Sequence, residues 1–171
     1  MKKLIFPILL TFLFILEGQI VTIWNADLYS NGNIFVPRFL IIALLFYATY
    51  CNQTVAIYYS ILFGLLFDIT YTEVIGVYSF GFPVIVFLIN QLVKILQSHV
   101  LILSFLSLCG IVLLEYYVYF LFILVNVTDM THAIFFHNRL IPTLIINGIF
   151  IIITCFFLQK LFLYLQQKEE E

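Results

Sequence analysis

The chain has 171 residues, 64% of them hydrophobic and 9% charged, against about half and about a quarter in soluble domains. That composition excludes a water-soluble globular domain and makes lipid the solvent. The formal net charge of −2 is the small difference between 7 basic and 9 acidic residues, so the chain carries no basic surface for nucleic acid. Cys51, Cys109 and Cys155 are an odd number without C-x-x-C spacing, which indicates neither a disulfide framework nor a zinc site.

Lys2 and Lys3 precede an apolar run that begins at Leu4 and continues to Trp24 with no small-x-small cleavage site. This predicts a retained first membrane helix over 4–24, not a signal peptide. A spanning helix needs about 20 mainly apolar residues, and five more candidates follow over 36–50, 54–70, 74–97, 99–125 and 139–165. Polar breaks at 25–33, 51–53, 71–73, 97–99 and 126–138 separate them. The second and third are short and suit a tight hairpin, a re-entrant pair being the alternative. The predicted class is therefore an all-α integral membrane bundle of about six transmembrane helices, with five or four as alternatives, forming one transmembrane domain over 1–171.

Lysine and arginine placement sets the orientation, because basic loops stay cytoplasmic. With the N-terminus inside, Lys2, Lys3, Lys94, Lys160 and Lys168 fall inside, whereas Arg38 and Arg139 fall outside. Both termini are then cytoplasmic.

Ionisable groups inside a membrane cost roughly 2.5–3.5 kcal/mol on insertion scales, so each calls for a partner. Glu17 is followed by Arg38 at the start of the second helix, and Glu115 by Arg139 at the start of the sixth. Each arginine lies near a proline, Pro37 or Pro142. Two intramembrane pairs are expected, Glu17 with Arg38 and Glu115 with Arg139; the alternative is two arginines anchored in the headgroups. Asp68 continues a stripe in which Ser60, Gly64 and Asp68 recur every four residues. Small residues at that spacing admit a neighbouring helix closely, which turns Asp68 toward protein. Glu73, Gly76, Tyr78, Gly81 and Pro83 then form a turn and a loosened start to the fourth helix. Two readings stand for this segment: a fixed polar hub or small cavity, and a turn with two solvated acids.

Asp129, His132 and His137 share a loop without metal-ligand spacing. No nucleophile elbow, phosphate loop or H-E-x-x-H sequence is present, and Trp24, Tyr29, Tyr116, Tyr117 and Tyr119 suit an interfacial aromatic belt. These features ask for no catalysis, cofactor or metal.

Five stretches taken together, V-P-R-F-L at 36–40, F-G-L-L-F-D at 63–68, Y-T-E-V-I-G-V-Y-S-F-G-F at 71–82, L-L-E-Y-Y-V-Y at 113–119 and N-R-L-I-P-T-L-I-I-N at 138–147, resemble the MreD family, particularly its Gram-positive version. The resemblance runs in order through essentially the whole chain. It implies a non-catalytic role in bacterial cell shape and lateral wall elongation. The implied partners are the bitopic protein MreC, the glycosyltransferase RodA with its transpeptidase, membrane lipid and, where present, MreB filaments. It also implies a fold similar to the substrate-binding components of vitamin transporters, which is analogy and confers no function. On this reading Gly64 and Asp68 are the family's glycine-to-aspartate motif, and with Gly76 and Gly81 they shape a helix-packing hub presented to partners. The alternative function is a solute-binding subunit of a membrane transporter, with Asp68, Glu17 and Arg38 lining a pocket for a small cation, vitamin or lipid headgroup.

Overall fold

A computed structural model describes residues 4–28, 34–72, 74–96 and 99–167. Lys2, Lys3, Tyr29, Glu73, Gln97, Ser98 and Lys168 lie outside the described residues, as do the side chains of Trp24 and Asp27. The helices are α1 (Ile5–Leu28), α2 (Phe39–Tyr50), α3 (Gln53–Tyr71), α4 (Val77–Ile95), α5 (Val100–Leu124), the short α6 (His132–Phe135) and α7 (Ile141–Gln167), with a π-helical turn at Phe136–Leu140 joining the last two. Among the described residues five stretches are long and apolar enough to cross a bilayer: Ile5–Ile23, Gln53–Tyr71, Val77–Ile95, Val100–Leu124 and His132–Gln167.

The sixth, α2, is the axis of the bundle. It is apolar on every side, the pattern of a helix surrounded by protein, and 11 of its 12 residues are buried. It touches α1, α3, α4, α5 and α7. At about 1.5 Å per residue it covers about 18 Å, well short of the roughly 30 Å hydrocarbon layer. The helix expected over 36–50 therefore begins only at Phe39, and residues 34–38 are non-helical. Pro37 disfavours helical backbone at the residue before it.

Non-helical backbone at membrane depth survives only where protein satisfies its polar groups, and here the last helical stretch does so. The Ile34 amide donates to the Asn138 carbonyl at 2.6 Å. The Val36 amide donates to Thr143 Oγ1 at 3.3 Å, and the Val36 carbonyl accepts from Asn147 Nδ2 at 3.0 Å. The Arg38 amide donates to Asn147 Oδ1 at 2.7 Å. One asparagine thus holds both sides of the segment.

At the other end of α2 the packing is aromatic. Phe6 of α1 stacks on Tyr47 with ring centroids 3.7 Å apart, and meets Tyr59 of α3 and Phe162 of α7 edge-on. Asn52 caps α3, its Oδ1 accepting from the amides of Thr54 and Val55, so that α2 and α3 form a tight hairpin. The Cys51 thiol donates to the Phe162 carbonyl at 3.2 Å.

Candidate functional site

The polar side chains gather toward the end of the bundle where α3 gives way to α4. Gly64 faces the first turn of α4 so closely that a Cβ built there would lie 2.5 Å from the Tyr78 carbonyl oxygen and 2.8 Å from the Ser79 Cα. One turn later on the same face, fully buried Asp68 reaches the amides that begin α4. Its Oδ2 accepts from Gly76 N at 2.9 Å, Ser79 N at 3.0 Å and the Ser79 hydroxyl at 2.8 Å, and its Oδ1 from Tyr78 N at 2.7 Å. A helix leaves its first amides unsatisfied and its N-terminus positive, so a carboxylate supplied by the preceding helix answers both needs. The chain turns into this cap through Gly76, whose φ of +111° lies in the left-handed region that glycine tolerates best. From there α4 runs without interruption through Gly81 and Pro83, replacing the loosened start anticipated from those residues. At Gly81 an added Cβ would meet the Tyr117 ring at 2.9 Å, so that glycine sets the approach of α4 to α5.

A second carboxylate, Glu115 of α5, is also fully buried and serves two arginines. Its Oε1 accepts from Arg38 Nε at 2.8 Å and lies 2.7 Å from an Arg38 terminal nitrogen. Its Oε2 accepts from Arg139 Nε at 3.0 Å. Arg38 donates further to the Tyr78 hydroxyl at 2.7 Å, and its guanidinium carbon lies 4.7 Å from that ring's centroid, a cation–π contact. Because Tyr78 is also capped by Asp68, the two carboxylate sites adjoin. Together they tie the non-helical segment, α3, α4, α5 and the π-helical turn.

The expected pairing of Glu17 with Arg38 requires correction. Arg38 turns to Glu115 and Tyr78, while Glu17 Oε1 accepts the backbone amide of Leu40. The reason lies in the late start of α2: a helix beginning inside the bundle exposes unsatisfied amides there, and Glu17 from α1 caps them as Asp68 caps α4. Glu17 Oε2, also buried, has no hydrogen-bond partner among the described residues. Beside it opens a cavity of about 380 Å³, lined by residues that include Glu17, Gly18, Arg38, Tyr71, Tyr78 and Arg139.

Sequence reasoning missed the Tyr78 hydroxyl as a partner of Arg38, and Thr143 and Asn147 as the residues that hold the non-helical segment. A signal existed for the latter, since Arg139, Thr143 and Asn147 recur every four residues in an otherwise apolar helix, as Ser60, Gly64 and Asp68 do. Asp129, His132 and His137 do not converge: among the described residues no three His, Cys, Asp or Glu side chains group to hold a metal. His132 instead stacks on Tyr116.

A match to the family model described as rod shape-determining protein MreD covers residues 2–165. The chain is also 30% identical over 147 residues to the rod shape-determining protein MreD of Bacillus subtilis (strain 168), the match covering 86% of each chain. No solved structure matches significantly. A family match over nearly the whole length, on a bundle of long apolar helices, establishes that this multi-pass membrane chain belongs to the MreD family of rod shape-determining proteins.

Proposed function

We propose that the chain, whose family determines cell shape, acts as a non-catalytic membrane scaffold of the lateral wall-elongation machinery. In this reading it organises an MreC-like bitopic protein together with RodA and its transpeptidase, with MreB-type filaments on the cytoplasmic side. The observation that carries the reading is the junction at Glu115 and Asp68: their buried carboxylates are bonded to the chain itself. Charges buried in this way fix an architecture, because removing one partner leaves another charge unpaired in a low-dielectric interior. The junction holds the bundle's outer surface in one shape, and that surface, apolar along α1, α4, α5 and α7, is what lipid and partner helices meet. The hub is thus an internal brace that positions a docking surface.

The lysine and arginine distribution supports an orientation with both termini cytoplasmic and Arg38 and Arg139 toward the outer leaflet. An alkaline phosphatase fused to the C-terminus is then inactive. Depletion of the protein in its host, followed by microscopy and recovery of tagged MreC-like protein with RodA, tests the role itself. Rounded or swollen cells and loss of the joint recovery are expected. Unchanged recovery of the complex in depleted cells opposes the scaffold reading.

A further inference from the structure

The cavity beside Glu17 is a place where polar groups of the bundle do not close on one another. One wall carries Glu17, buried on α1, whose Oε1 is committed to α2 while Oε2 has no hydrogen-bond partner among the described residues. Another carries Arg139, partly exposed, which spends its Nε on Glu115. Arg38 and Tyr78, whose ring centroid is 4.7 Å from the Arg38 guanidinium carbon, line the same space. The remaining lining, Val21, Ile34, Val36, Pro37, Phe67 and Phe122 among it, is largely apolar. A volume of about 380 Å³ falls within the roughly 300–1,000 Å³ of small-ligand sites, which combine apolar walls with a few placed polar groups.

Glu17 and Arg139 in this lining ask for opposite chemistry. A buried carboxylate oxygen with no donor is costly to leave so, and it calls for a cationic N–H group. Arg139, with its planar fork of donors, matches a phosphate or carboxylate. A ligand bearing only one charge would answer one wall and be opposed by the other, whereas a zwitterion answers both without changing the net charge of the site.

We propose that this cavity binds an aminophosphate zwitterion, its primary ammonium on Glu17 Oε2 and its phosphate toward Arg139. Two sources carry that chemistry, the headgroup of an aminophospholipid and a free aminoalkyl phosphate. The apolar lining next to the charges accommodates the glycerol and first methylenes of the former. The site goes beyond the scaffold role and does not rest on it.

The test uses the full chain in detergent micelles, titrated by calorimetry with dihexanoyl phosphatidylethanolamine, its phosphatidylcholine and phosphatidylglycerol counterparts, and phosphoethanolamine. The ethanolamine lipid should bind at least about tenfold more tightly than the choline lipid, whose N-methyl groups remove every N–H donor. Binding of phosphoethanolamine at similar strength identifies a free solute as the source, whereas binding of the lipid alone identifies the membrane. Glu17→Gln keeps an acceptor for the Leu40 amide and removes the charge, and should weaken ethanolamine-lipid binding about tenfold. Val21→Phe, which places a ring in the cavity and removes no charged group, should weaken it as well and covers the case in which Glu17→Gln does not fold. Equal binding of the ethanolamine and choline lipids, binding of phosphatidylglycerol alone, or no binding of any probe overturns the proposal.

Discussion

The two halves of the bundle around α2 are built on different physics. Where α2 ends, near Tyr47 and Tyr50, the contacts are ring on ring: Phe6, Tyr47, Tyr59 and Phe162 stack or meet edge-on, and their fit is one of shape. Where α2 begins, the contacts are directional, with Glu17 on its first turn, Glu115 between two arginines, Asp68 on α4 and Asn147 on the segment before Arg38. In lipid, apolar packing gains nothing over a helix's contact with acyl chains, so association rests on close fit and hydrogen bonds. The aromatic half can exchange one apolar side chain for another at small cost. The polar half cannot, because each group removed orphans a second one.

That contrast orders the expected effects of substitution. Glu115→Ala is the most severe, since it removes the carboxylate that both buried Arg38 and half-buried Arg139 are paired with; breaking such a site costs about 3–5 kcal/mol, and the protein should fail to accumulate in membranes. Asp68→Asn follows, because an amide offers a donor where the α4 amides require an acceptor. A cost of about 1–3 kcal/mol should show as a lowered thermal midpoint in detergent, with most protein still inserted. Gly64→Ala belongs in the same range, about 1–3 kcal/mol, by a different route: its Cβ meets α4 backbone, which cannot rotate away, so α3 and α4 must part. Phe6→Leu in the aromatic half is the mildest, about 1 kcal/mol of ring contact. Should Phe6→Leu prove as damaging as Asp68→Asn, the division between the halves would be wrong.

The sequence displays some of this and conceals the rest for identifiable reasons. Helices α1, α3, α4, α5 and α7 are legible because lipid demands long apolar runs with polar breaks. The face shared by Gly64 and Asp68 is legible because four-residue spacing is local to one helix. Glu115 and Arg139 stand on helices consecutive in the sequence, which brings them within reach of inspection. Arg38 and Glu115 are 77 residues apart, and nothing local joins them; they meet because residues 34–38 are non-helical and bring Arg38 into the bundle. The helix 36–50 looked continuous because Val36, Phe39 and Leu40 are as apolar as their neighbours, and Pro37 suits a first helical turn as readily as the residue before it resists one. The decisive information lay in Thr143 and Asn147, more than 100 residues away in sequence, and reads only once both segments are placed together.

The central claim is that one carboxylate, Glu115, braces both arginines. A charge exchange tests it most directly: thermal midpoint and membrane accumulation are measured for Arg139→Glu, for Glu115→Arg and for the two combined. In a simple pair the exchange restores an attractive contact and recovers stability. With Arg38 at 2.7 Å from Glu115, the exchange sets an arginine against Arg38, and the double variant is predicted to be no more stable than Arg139→Glu alone. Recovery to within about 0.5 kcal/mol of the unsubstituted protein would contradict the shared brace and leave Glu115 and Arg139 as an isolated pair.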